Sequence, residues 1–298
     1  MKVLSFDGGG IKGVFTLQIL KRILQQVPDF LDKADMLAGT STGGLIALSL
    51  ANGQPIDKIF NLYLNGGDIF VKNAFSCNGV FKCKYNNSGL RKQLEILFGQ
   101  TTLGQLKKKV IIPTFDCDGN TARNGSVRRW HAKFYCNINP TDDNCKEYCL
   151  NVGLYTSAAP TYFPLVNGKA DGGLVANNPS SAAIHQLISS RPGCAFNLKD
   201  ICLIALGTST KINYLNVQNK NWGGIQWMRY LLDILFDGMV DVADFQCQSM
   251  LWDRYHRVNK FAKEIPEMDD WKLAREFINL ADTVDLNPTF NWISKNWK

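Results

Sequence analysis

Between Leu37 and Gly44 the chain reads Leu-Ala-Gly-Thr-Ser-Thr-Gly-Gly, and no other stretch limits the fold so strongly. It carries one serine, Ser41, with Gly39 and Gly43 two places to either side. A serine at the tip of a sharp strand-to-helix turn sits at a strained backbone position. The residues two before and two after it must be small to let strand and helix pass each other. The spacing therefore predicts a strand over 34–38, a turn, and an apolar helix over 42–51 closed by Asn52-Gly53. The hydroxyl then points out of the sheet, near the positive end of the following helix. A glycine-rich turn without chemistry fits the same spacing, so the assignment needs support from elsewhere in the chain.

Two other stretches supply it. Asp7-Gly8-Gly9-Gly10-Ile11-Lys12-Gly13 follows the apolar run Val3–Phe6, and Asp171-Gly172-Gly173 stands deep in the second half. Free backbone N–H groups in a glycine loop at a helix start suit a developing oxyanion. An aspartate set among glycines at a strand end suits a general base. With these three motifs in this order, the sequence resembles the patatin-like phospholipases, of patatin and group IV cytosolic type. The segment Thr156–Pro164 before Asp171 also resembles the family, and the likeness runs from Met1 to about Gly207. One departure is Leu206-Gly207-Thr208-Ser209, where family members often carry Leu-Gly-Thr-Gly.

The resemblance implies a three-layer α/β fold with a mainly parallel central sheet flanked by helices. It implies a Ser41–Asp171 dyad, an oxyanion hole from Gly8, Gly9 and Gly10, and supporting roles for Asp7, Lys12, Gly13, Gly39, Gly43, Gly172 and Gly173. The implied substrates are fatty-acyl esters of glycerophospholipids or lysophospholipids, and the chemistry requires no metal or organic cofactor. A general esterase or triacylglycerol lipase is the alternative, as is an idle storage or lipid-binding protein. A Ser-Asp-His triad remains formally open through His185 or His256, although both fit structural or surface roles.

Alternation of strands and helices without repeats or linkers predicts one α/β domain over 1–298, with core motifs in 1–207 and a helical part over 220–298. No window approaches the ~18 apolar residues of a membrane span, and the apolar run after Lys2 stops at Asp7, too short for a signal peptide. Nine scattered cysteines argue against a disulfide framework. The expected setting is the cytoplasm, with peripheral contact to a phospholipid surface that the net charge of +7 favours. The basic residues are spread, and nucleic acid is not expected as a partner. An unidentified activator and homo-oligomerisation are left open.

Weaker signals lie elsewhere. Gly8, Gly10 and Gly13 match a dinucleotide fingerprint, but the acids Asp29, Asp32 and Asp35 precede the next strand instead of ending it. Asp116–Asn120 resembles the start of a calcium loop yet has Val127 where glutamate belongs, and reads as a hairpin turn. His131, Cys136, Cys145 and Cys149 match no common zinc spacing. The irregular stretch 73–89 reads as a packed loop or a lid. The long helix over 222–252, rich in large apolar groups, reads as core first and membrane-facing second. The tail Trp292–Lys298 reads as docked on the domain or as an interfacial anchor.

Overall fold

The computed structural model describes residues 1–74, 79, 81–119, 128–215 and 221–298. Strand β1 (Lys2–Phe6) leads through the glycine loop into α1 (Gly13–Gln26), and β2 (Met36–Gly39) turns at Ser41 into α2 (Thr42–Ala51). Two helices follow, α3 (Ile56–Leu64) and α4 (Ser88–Phe98), then the hairpin of β3 (Lys109–Asp116) and β4 (His131–Cys136). Helix α5 (Cys149–Thr156), the short β5 (Lys169–Ala170), α6 (Gly173–Ala176) and α7 (Ser180–Ile188) bring the chain to β6 (Cys202–Leu206) and β7 (Thr210–Lys211). The last part holds α8 (Gly224–Leu251), β8 (Tyr255–Val258), β9 (Phe261–Ala262), α9 (Ala274–Asp282) and α10 (Asn287–Asn296).

Seven strands form the main sheet in the order β4-β3-β2-β1-β6-β8, with β5 also paired to β3. The pairs β1–β2, β2–β3, β1–β6 and β6–β8 are parallel, and only β4 and β5 run antiparallel. The expected mainly parallel α/β sheet is present. Parallel strands need crossovers, and helices supply them on both faces.

Alternation along β1 explains the layers. Leu4 and Phe6 face one core, which includes α1, α2 and the C-terminal helices, while Val3 faces a smaller core with Ala183, Leu187, Cys247 and Leu251 of α7 and α8. Helix α2 is buried along all ten residues, as a helix apolar all round must be. The tail docks: Trp297 is 1% exposed and stacks on Phe30 at 5.1 Å. Asp116 accepts from the N–H groups of Asp118 and Gly119 at the start of the β3–β4 turn, while Asn120 and Val127 lie outside the described residues. Phe75, Cys77 and Val80 of the 73–89 stretch also lie outside them; within it Tyr85 is buried and donates to Asp269 at 2.6 Å. The eight described cysteines are free thiols.

The long helix departs from the first expectation. Only one side of α8 is covered, by α6, α7 and β8, and Met228, Val242 and Phe245 are 68%, 56% and 72% exposed. Periodicity locates an apolar face without saying what covers it. A helix with large apolar groups on more than one side cannot bury them all against a single sheet.

Candidate active site

Ser41 stands between β2 and α2 at φ 53°, ψ −121°. Few non-glycine residues adopt this region, and the surrounding chain must hold them there. Two side chains do so. The Ser41 N–H donates to Thr156 Oγ1 at 3.0 Å, and Thr156 Oγ1 donates on to the Pro113 carbonyl at 2.8 Å. Thr40 Oγ1 donates to the Ala176 carbonyl at 2.5 Å, tying the serine turn to α6. The flanking glycines are required by crowding: a Cβ on Gly39 would lie 2.1 Å from the Gly43 carbonyl oxygen, and one on Gly43 would lie 2.3 Å from that of Phe6.

Asp171 follows β5 and is 2% exposed. It lines one cavity with Ser41, whose side chain acts on its carboxyl, and its Oδ1 accepts from the Gly173 N–H at 2.6 Å. Burial pushes the carboxyl up to about 7, while Gly173 and Ser41 pull the other way. Gly172 leaves no room for a side chain, since a Cβ there would meet the Pro113 carbonyl oxygen at 2.2 Å. Ser41 and Asp171, 130 residues apart in sequence, are brought to one cavity because β2 and β5 pair with successive stretches of the same edge of β3, opposite β4.

The glycine loop closes the third side. Gly9 and Gly10 line one cavity with Ser41 and Asp171. Among the described residues, no acceptor is bonded to the N–H of Gly9 or Gly10. The N–H of Gly8 does have one, the Asn177 carbonyl at 2.9 Å. Gly8 therefore leaves the expected set of three oxyanion donors, because its hydrogen is already used to anchor the loop. The loop is clamped elsewhere: Thr208 Oγ1 donates to the Gly8 carbonyl at 2.9 Å, and the Ile11 N–H donates to the Met268 carbonyl at 2.8 Å. Gly10 has φ 59°, and a Cβ on it would lie 2.2 Å from the Met268 oxygen.

The remaining motif residues support this loop. Asp7 is buried and takes a bidentate pair of hydrogen bonds from Arg257 of β8, at 2.9 and 2.5 Å. Burial pushes the Asp7 carboxyl up and Arg257 opposes it. Lys12 is lowered by burial, and Asp237, Asp233, Glu267 and Asp7 oppose that. Gly13 lets Thr42 approach, with Oγ1 2.3 Å from the position of an added Cβ. The large side chains of the cavity wall are apolar, including Leu45, Tyr63, Ile69, Phe70, Phe163 and Phe236, with Thr42, Ser157 and Asn177 also in the lining, and they enclose about 70 Å³.

No described contact brings a histidine to Ser41 or Asp171. His256 bonds Thr289 Oγ1 at 3.0 Å and stacks on Trp292, His185 bonds the Ser181 carbonyl at 2.7 Å, and His131 bonds the Arg129 carbonyl at 3.1 Å. Sequence reasoning missed Thr156, Asn177, Thr208, Phe236 and Arg257. For Arg257 a signal existed: a buried Asp7 demands a cation, and the segment Arg-Tyr-His-Arg supplies one.

Several known proteins are similar to this chain. The model of the family described as patatin-like phospholipase matches residues 4–184. The cGAMP-activated phospholipase of Escherichia coli is 30% identical over 75% of this chain and 67% of its own length. Protein teg of Priestia megaterium is 25% identical over 99% of this chain and 98% of its own. Patatin-like protein 1 of Oryza sativa is 28% identical over 83% and 70%. Among solved structures, VipD from Legionella pneumophila matches with a TM-score of 0.42 and 12% identity, covering 94% of this chain and 67% of that one. On the family match, which takes in all three glycine-bearing motifs, the chain belongs to the patatin-like phospholipases.

Proposed function

We propose that the chain is a lipid acyl hydrolase of phospholipase A type, working through a Ser41–Asp171 dyad. The observation that carries the proposal is that Ser41 and Asp171 line one apolar cavity together, close enough for the Ser41 side chain to act on the Asp171 carboxyl. An ordinary carboxylate, near ~3.9, is a feeble base at neutral pH. Burial raises Asp171 to about 7, close to the operating range where a general base works best.

Ser41 Oγ attacks the ester carbonyl carbon while its proton passes to the Asp171 carboxylate. The carbonyl oxygen becomes an oxyanion, received by the N–H groups of Gly9 and Gly10. Each such donor is typically worth ~2.7–4 kcal/mol. Collapse expels the alkoxide of the lysolipid, which takes the proton from Asp171. Water then attacks the acyl-serine, again giving its proton to Asp171, and the fatty acid leaves as Ser41 recovers its hydrogen. The apolar walls hold the acyl chain. Long-chain phospholipid is presented in an aggregate, so the working partner is a lipid surface.

Fatty-acid release from phospholipid vesicles with distinguishable chains at the two glycerol positions tests this reading. Release by the native chain that vanishes in Ser41→Ala and Asp171→Asn is expected. Release that survives in Ser41→Ala would overturn it.

A further inference from the structure

A trough of about 690 Å³ runs beside the active-site cavity, between the N-terminal half of α8, the loop at Pro160–Tyr162 and the segment from Lys211 to Leu215. Ala159, Tyr162, Phe236 and Met268 line both the trough and the cavity that holds Ser41. The trough is therefore the mouth of the site, and α8 is its roof. The cavity's 70 Å³ accommodates only a few water molecules. An acyl chain needs more, and the adjoining trough under α8 offers that space.

The rim of this mouth has an unusual surface. Tyr214 is 85% exposed, Met228 68%, Leu231 48% and Trp227 43%. Trp222 stacks on Tyr230 at 5.4 Å and meets Trp227 edge-on at 5.5 Å, which gathers three large aromatics where α8 begins. Across the trough, Gly79 and Lys84 both pack on Thr161, and between them Phe81 stands 80% exposed. Lys82 and Lys211 are exposed on the two sides. Asp233, Asp237 and Glu267 line the inner wall of the trough, where they act on the buried Lys12.

We infer that this rim is a bilayer-docking surface, which sets the mouth of the site on the headgroup layer. The inference rests on the lipid-hydrolase reading and names the surface that delivers its substrate. Large apolar groups mixed with tryptophan and tyrosine, edged by lysine, match the boundary between acyl chains and phosphates. The lysines complement phosphate charge, and the continuity of rim, trough and cavity gives a lipid leaving the layer an unbroken path to Ser41. Among the described residues no helix is long and apolar enough to cross a membrane, so contact through this rim is peripheral.

Cosedimentation with vesicles of phosphatidylcholine and phosphatidylglycerol in equal parts tests the inference. Ser41→Ala serves as the background, so binding is read without turnover. Adding Trp227→Asp and Leu231→Asp together should lower vesicle affinity by about tenfold or more, the scale of one large apolar group kept from burial. Ile96→Asp, at an exposed apolar site on α4, should leave it unchanged. With Ser41 restored, the double variant should cleave a short soluble ester at the native rate, which shows the fold and the dyad intact. Equal vesicle binding by native and double variant overturns the inference, as does absence of vesicle binding by the native chain. So does a native dimer that the double variant converts to monomer with vesicle binding unaltered, which would make the rim a contact between copies. Failure of the hydrolase reading shows separately, as ester cleavage that does not depend on Ser41.

Discussion

The floor of the site and its roof use glycine in opposite ways. In the floor, Gly39, Gly43, Gly10 and Gly172 stand where an added Cβ would fall 2.1–2.3 Å from a backbone oxygen. In the roof, Gly224 and Gly238 of α8 have nothing within 4 Å of that position. The floor is built by close approach of β1, β2 and β3 to the turns they feed, and each glycine is a condition of the geometry. The roof is a helix packed on one side, and its glycines cost helix stability without any contact that requires them. The difference marks which part is fixed for chemistry and which part is free to yield.

Substitutions sharpen this contrast, beginning with the largest effects. Ser41→Ala and Asp171→Asn should each lower ester hydrolysis by about 10³-fold or more, measured as kcat/KM on a soluble ester, while His131→Ala, His185→Ala and His256→Ala keep most of it. Loss of activity in His256→Ala with the fold intact would break the dyad. Arg257→Ala leaves the Asp7 carboxylate buried without its partner, and should cost about 3–5 kcal/mol in denaturant unfolding. Gly43→Ala should cost at least about 3 kcal/mol, because the Cβ meets backbone that cannot rotate away. A floor that accepted Gly43→Ala without loss would end the comparison.

The titration of Asp171 gives the next effect. Its folded value, about 7, lies above the ordinary carboxylate value of ~3.9. Between these the folded chain keeps a proton that the unfolded chain has released. The stabilisation from a buried neutral carboxyl is complete below about 4 and is lost as pH rises through about 7. Stability should therefore fall over that window, and Asp171→Asn should flatten the slope. Activity should rise over the upper part of the same window, since only the ionised form is the base. A pH profile of kcat/KM without an inflection near 7 would contradict the burial of Asp171 in the working enzyme. The smallest effect belongs to the roof: Gly238→Ala should stabilise α8 by about 0.5–1 kcal/mol, seen as slower amide exchange in that helix.

Most of the floor was legible in the sequence, because steric necessity leaves traces in residue type. Glycine two places either side of Ser41, glycine after Asp171, and three glycines after β1 each record a place where backbone meets backbone. Polar clamps leave a weaker trace. Thr156 and Thr208 hold the serine turn and the glycine loop through one hydroxyl each, and a threonine in a strand-and-helix sequence is ordinary. Gly8 was misread for a related reason: composition shows that a glycine is present but not whether its hydrogen is already engaged. Arg257 was hidden by distance along the chain. The roof was legible as a helix and illegible as a surface, since the outward side of α8 has the same residue types as a core-facing one.

The bridge from Asp7 to Arg257 spans 250 residues of chain. During synthesis, at about 5–20 residues per second, Ser41 and Asp171 emerge well before Arg257. Until then Asp7 lacks its hydrogen-bonded partner, and β6 lacks its neighbour β8. The glycine loop, almost the first segment to be made, is the last part of the site to be fixed. A nascent chain held at Met250 should carry both reacting side chains and hydrolyse no ester, and measurable turnover by such a chain would contradict this order. Growth of the chain itself then acts as a safety catch, released only when the final strand joins the sheet.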